Sequence, residues 1–157
     1  MVKTGYRPVV SVVIVNFRGA DDTLACLEAC GQLAWPHDQL ELVVVDNASG
    51  DDSVERIGAA FPDIKLIASK KNLGFAGGCN RGAEAAVGEY VAFLNNDARP
   101  HADWLRSAVT TMEADSSISC VASKVLDWDG NNVDFIDAGL AYYGHGFKLH
   151  VGEPDDR

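Results

Sequence analysis

The run Val9-Val10-Ser11-Val12-Val13-Ile14-Val15 constrains this chain more than any other stretch. All of it except Ser11 is β-branched and aliphatic, and such side chains restrict χ1 and suit extended backbone. A strand with one wet face alternates apolar and polar residues. A run without alternation marks a strand buried on both faces, which is the habit of parallel sheets. Parallel neighbours in turn require long crossovers, usually helical.

The remaining patterns supply those neighbours and crossovers. Leu40 to Val45, Ile64 to Ala68, Glu89 to Leu94 and Ile118 to Val125 read as four further strands. Between them lie helical patterns. Asp21 and Asp22 open one that carries Leu24, Leu27, Cys30 and Leu33 on one face. A second, headed by Ser49 or Asp51 as cap, turns Val54, Ile57 and Phe61 inward. An alanine-rich helix is expected after a glycine-rich turn at Gly74 to Gly82, and another from His101 to Glu113. Strands alternating with helices predict an α/β fold: a mostly parallel sheet with helices on both faces. At 157 residues one domain is the natural expectation, with a core over 9–125 and an irregular or β extension over 126–157. In that extension Asp127 to Asn132 reads as a turn between short strands, and Val133 to Val151 as a hairpin or lid.

Composition excludes several classes. Thirteen basic against 23 acidic residues give a net charge of -10, which argues against a general nucleic-acid binder that needs a basic face. A single nucleotide remains compatible, because a divalent cation can supply positive charge locally. The apolar runs are too short to span a bilayer. The order of segments that marks a signal peptide is missing, and the expected location is cytoplasmic. Cys26, Cys30, Cys79 and Cys120 show no CxxC spacing. Cys26, Cys30 and His37 could suggest zinc, but small buried thiols are the simpler reading.

Ligands of open parallel sheets bind beyond the carboxyl ends of the strands. Polar residues cluster at three such ends: Val15-Asn16-Phe17, Asp46-Asn47 and Asn95-Asn96-Asp97. The Gly74, Gly77, Gly78 and Asn80 segment adds a fourth wall, where glycine allows close backbone approach ahead of a helix. Neither GxGxxG nor GxxxxGK[ST] occurs, so the dinucleotide and P-loop fingerprints are unsupported. Asp97 is the candidate metal ligand, since Mg²⁺ or Mn²⁺ is often held by one or two carboxylates and substrate phosphates. Simpler readings stand beside these: Asp46 as a helix cap, Asn72 and Asn80 as turn braces, Phe17 as core, His101, His145 and His150 as surface residues.

"VSVVIVNFRG", "LVVVDNASGDDS", "NLGFAGGCNRG" and "FLNNDARP" occur in the order found in family 2 glycosyltransferases. The chain resembles the nucleotide-sugar-binding half of that GT-A fold, closest to its rhamnosyltransferase-like branch, over about Val9 to Val125. The resemblance implies a UDP- or dTDP-sugar donor, with the first-strand exit and Asp46 at base and ribose. Asn95-Asn96-Asp97 takes the place of the family's Asp-x-Asp motif, with Asp97 on Mg²⁺ or Mn²⁺ and diphosphate. Asn95 replaces the first acid, and Cys79 stands where many relatives outside that branch carry Arg. The implied reaction is inverting transfer of a sugar, such as rhamnose, to a glycan or lipid-linked acceptor. Docking at the inner face of a membrane is a further expectation of the resemblance. Asp134 and Asp137 lie in the right region for the base but in the wrong context, so the base is expected beyond Arg157, in a longer enzyme. A non-catalytic nucleotide-sugar-binding domain is the alternative. A nucleotidyltransferase would want a glycine-rich basic loop after the first strand, which Arg18-Gly19 matches poorly.

Overall fold

The β-branched run becomes β1 (Val10–Asn16), buried along its whole length. In chain order there follow α1 (Ala20–Cys30), β2 (Leu40–Asp46), α2 (Ser53–Ala60), β3 (Lys65–Ala68), α3 (Gly74–Ala85), β4 (Tyr90–Asn95) and α4 (Trp104–Ala114). These come from a computed structural model that describes residues 8–136, 138–140 and 146–155, with backbone alone at 138–140, 146 and 147. The four strands form one parallel sheet in the order β3-β2-β1-β4. β1 is central because its residues are the ones that tolerate cover on both faces.

Each face has its own helices. Val10, Val12, Ile14 and Val44 pack with Cys26, Leu27 and Cys30 of α1, Ile57 of α2, and Leu105 and Val109 of α4. Burial of each such Val, Leu or Ile contributes about 1.5–3 kcal/mol, enough to set the strands' order despite weak local preference. Alternate residues point the other way, toward α3. A Cβ at Gly82 would stand 2.3 Å from Val13 Cγ1, and one at Gly78 2.8 Å from Val15 Cγ1. The glycines are therefore the surface on which α3 lies against the sheet.

That contact corrects one expectation. The stretch from Gly74 to Gly82 is not a turn leading to a helix; it is the first three-quarters of α3 itself. Glycine costs a helix about 1 kcal/mol relative to alanine, so local propensity argued for a turn. Close packing against β1 and β2 outweighs it. A second correction concerns Ile118 to Val125, which forms no fifth strand of the parallel sheet. Its apolar residues are broken by Ser119, Ser123 and Lys124, and 119–123 are exposed. A segment so interrupted has no continuous face to bury and extends only at its end.

The chain divides into two compact units, Met1–Val109 and Thr110–Arg157. In the second, β5 (Val125–Leu126) pairs antiparallel with β6 (Val133–Phe135) across the expected turn. The Asp127 carboxylate closes that turn by accepting the Asn131 N–H at 2.9 Å and Asn132 Nδ2 at 2.7 Å. β7 (Ala138–Leu140) pairs antiparallel with β8 (Gly146–Lys148). Lys124, just before β5, pairs with Asp155. No helix among the described residues is long and apolar enough to cross a membrane.

Candidate functional site: three strand exits in register

Parallel pairing sets Asn16 opposite Asp46, Val15 opposite Asn95, and Asp46 opposite Ala68. Three polar strand ends therefore emerge at one level of one sheet edge. Their side chains then diverge in fate.

The β1 and β2 exits turn inward. Asn16 is 0% and Asp46 3% exposed. Asn16 Nδ2 donates to Asp46 Oδ1 at 2.7 Å and to Ser49 Oγ at 3.2 Å, while its Oδ1 accepts from Thr23 Oγ1 at 2.9 Å. Asp46 also receives the Ser49 N–H at 3.1 Å and the Ser49 hydroxyl. Ser49 Oγ in turn accepts the Arg18 N–H at 2.9 Å, and Arg18 Nε donates to the Ser49 carbonyl at 3.1 Å. These bonds hold Arg18 at φ 57°, a left-handed backbone uncommon outside glycine. They also leave Phe17 projecting, 45% exposed, with the Arg18 guanidinium 5.2 Å from its ring centroid.

Asn47 is equally buried and braces the approach to α3. Its Oδ1 accepts the Leu73 N–H at 2.9 Å, and its Nδ2 donates to Asn72 Oδ1 and the Gly74 carbonyl, both at 3.1 Å. Gly74, at φ 72°, starts the helix beside the strand exits. Gly77 is half-buried and Asn80 exposed, whereas Gly78 is buried beneath the helix.

The β4 exit stays open. Asn95 and Asp97 are exposed, and only Asn96 between them turns its side chain back, donating to Thr23 Oγ1 at 3.2 Å and to the Gly19 carbonyl at 3.5 Å. The Ala98 N–H closes the turn on the Asn95 carbonyl at 3.1 Å. Among the described residues no group of three or more His, Cys, Asp or Glu forms a ready-made metal cage. One exposed carboxylate beside an amide fits a Mg²⁺ or Mn²⁺ that shares its coordination with substrate phosphates. The residues present therefore suit a metal carried in with a diphosphate, held on the protein by Asp97.

Other candidates do not join the open end of the site, although Cys26 Sγ reaches the Asn95 carbonyl from the core side at 3.5 Å. Cys26 and Cys30 are buried free thiols in the core, while His37 is exposed. Their mutual hydrogen bond, with burial adding to it, holds the Cys30 thiol well above the ordinary thiol range. Asp134 is engaged by Lys148 Nζ at 3.0 Å, and His150 meets Glu153 at 3.1 Å. Asp137, His145 and Arg157 lie outside the described residues. Sequence reasoning missed Arg18, Thr23 and Ser49. Ser49 carried a signal, since Asp46-Asn47-Ala48-Ser49 has the spacing of a side chain closing its own turn; Thr23 carried none.

A parallel sheet with polar exits in register has the edge at which open α/β folds bind their ligands, and comparison with known proteins gives the family. The family model for Glycosyl transferase family 2 matches residues 11–144. The chain belongs to that family. It is 30% identical over 135 residues to Glycosyltransferase AglE of Haloferax volcanii, covering 84% of this chain and 41% of that protein. It is 33% identical to the Succinoglycan biosynthesis protein ExoO of Rhizobium meliloti, covering 85% and 39%. Among solved structures, the mannosyltransferase PcManGT of Pyrobaculum calidifontis in complex with GDP-Man and Mn²⁺ superposes with TM-score 0.64 at 33% identity, over 76% of this chain and 37% of that one. S. aureus TarS with UDP-GlcNAc shares the fold at TM-score 0.60 and 21% identity, over 68% and 31%. The chain thus spans about two-fifths of the curated relatives AglE and ExoO.

Proposed function

We propose that this chain is the donor-binding part of an inverting glycosyltransferase. The observation that carries the reading is the register, which sets Asn16, Asp46 and Asn95 on adjacent parallel strands with exposed Asp97 beside them. A mannosyltransferase at 33% identity that binds GDP-Man and Mn²⁺ supports the donor class. In this reading exposed Phe17 packs against the base, and the buried Asn16–Asp46 cluster fixes the shape of that pocket. The start of α3, where the Gly74 N–H already donates to Asn72 Oδ1 at 2.8 Å, turns the positive end of its helix dipole toward the phosphates, which favours anions. Asp97 would hold Mg²⁺ or Mn²⁺, which when bound neutralises charge on the departing diphosphate.

An acceptor hydroxyl attacks the anomeric carbon from the face opposite the nucleotide, with inversion. A general base takes its proton. The relative named for succinoglycan biosynthesis favours a glycan acceptor. Rhamnose as the sugar, a UDP or dTDP donor and work at the cytoplasmic face of a membrane belong to the same proposal. Calorimetric titration with UDP, dTDP and GDP, each with and without Mn²⁺, tests it. Binding of one nucleoside diphosphate that strengthens with Mn²⁺ is expected. Failure of all of them to bind under either condition would sink the reading.

A further inference from the structure

Between the buried exits and the open one lies the Thr23 hydroxyl, flanked by two longer contacts at 3.5 Å, Cys26 Sγ to the Asn95 carbonyl and Asn96 Nδ2 to the Gly19 carbonyl. Asn16 Nδ2 faces a carboxylate oxygen of Asp46 at 2.7 Å, which fixes the amide's orientation because that oxygen only accepts. Asn16 Oδ1 must then face the Gly19 N–H, at 3.3 Å, and Thr23 Oγ1, at 2.9 Å. The Thr23 hydroxyl has one proton, and Asn16 Oδ1 takes it. Its lone pair is left to accept Asn96 Nδ2 at 3.2 Å, a group that only donates. Every donor and acceptor from Asn96 through Thr23 and Asn16 to Asp46 is thus dictated by its neighbour.

Steric contact reinforces the chain of bonds. A Cβ on Gly19 would stand 2.8 Å from Asn96 Nδ2, so the β1–α1 connection lies directly against the β4 turn. Thr23 itself is 0% exposed, leaving solvent no route to replace either bond.

We infer that Thr23 is a positioning residue that registers the Asn95–Asp97 turn against the Asn16–Asp46–Ser49 cluster. The two halves of the donor site are then held as one rigid piece, and the direction of the Asp97 carboxylate is set from the first turn of α1. The inference rests on the donor-site reading for its functional consequence, though not for the coupling itself.

The test compares Thr23→Val, which keeps the shape and loses the hydroxyl, with Thr23→Ser, which keeps the hydroxyl. Titration with whichever nucleoside diphosphate the wild type binds, in the presence of Mn²⁺, should weaken about 10-fold or more in Thr23→Val, as for loss of an outer-shell metal partner. Thr23→Ser should stay close to wild type. Asn96→Ala cuts the same link from the exposed side and should reproduce the loss even if Thr23→Val does not fold. Unchanged affinity in Thr23→Val or Asn96→Ala, or an equal loss in Thr23→Ser, would overturn the inference. Backbone amide shifts provide an arm without nucleotide: Thr23→Val, or Asn96→Ala in its place, should move Asn47 and Ser49 together with Asn95 and Ala98. Movement of one group alone would overturn the coupling. A wild type that binds no nucleotide would instead remove the donor-site reading, and the amide shifts would then decide the coupling by themselves.

Discussion

Asp46 and Asp97 each end a strand of the same parallel sheet in a short polar sequence, yet they do opposite things. The Asp46 carboxylate is 3% exposed and receives Asn16 and both the N–H and hydroxyl of Ser49. Asp97 is exposed at the turn after β4. The difference comes from position in the sheet. β2 is flanked by β1 and β3 and covered on both faces, so its exit folds back into the protein, whereas β4 is paired with β1 and its exit opens outward. A buried polar group must be satisfied from within, while an exposed one is free to meet a ligand. A polar strand exit is thus either a brace or a contact, and burial decides which.

Substitutions at the two exits can break this contrast. Asp46→Ala should have the largest effect, because it strands three donors at once, on Asn16 and Ser49. At about 1–3 kcal/mol for each unsatisfied buried group, a loss of about 3 kcal/mol or more is expected in urea denaturation. A change below about 0.5 kcal/mol, the range of ordinary surface substitutions, would show that Asp46 is not a brace. Next comes Gly82→Ala, whose added Cβ meets Val13 at 2.3 Å. Overpacking of this kind costs about 1–3 kcal/mol, readable as a lower Tm; an unchanged Tm would mean that α3 is free to lift from the sheet. Asn47→Ala should cost about 1–2 kcal/mol and weaken nucleotide binding, since it releases Leu73 and Gly74 at the head of α3.

The smallest effect lies at the opposite end of the sheet. Burial pushes the Glu41 carboxyl up, but bonds from Lys65, the Ser11 hydroxyl and the Val87 N–H together hold it below the usual carboxylate range. Its contribution to stability is therefore complete above the unfolded pKa of about 4.3 and is lost as pH falls through the lower folded value. Glu41→Gln should narrow its stability gap from wild type below about pH 4.3, with nucleotide binding at neutral pH unchanged. A gap that widens on acidification would reverse the assigned sign.

Much of the fold was legible in the chain. Val9 to Val15 could be only a strand buried on both faces, and the helical spacing of Leu27 and Cys30 named the face that covers it. The glycine stretch misled because propensity is local, whereas the need for glycine at 78 and 82 is imposed by Val15 and Val13, more than sixty residues earlier in the chain. Ile118 to Val125 misled for the converse reason: β-branched residues were present, but no continuous face was. At the site, the exits at Asn16, Asp46 and Asn95 were visible as polar ends of apolar runs. Which of them faced inward was not, because that depends on the strand order. Thr23 was invisible for the same reason, as its two partners lie seven and 73 residues away.

The contrast between brace and contact is tested most directly by Asp97→Asn, measured at once for thermal stability and for Mn²⁺-dependent binding of the nucleoside diphosphate that the wild type prefers. The expected result is a stability change within about 0.5 kcal/mol, as for an ordinary surface position, together with loss of the Mn²⁺-dependent part of binding. A large fall in Tm, or binding that keeps its full Mn²⁺ dependence, would contradict the assignment of Asp97 as the open end of the site.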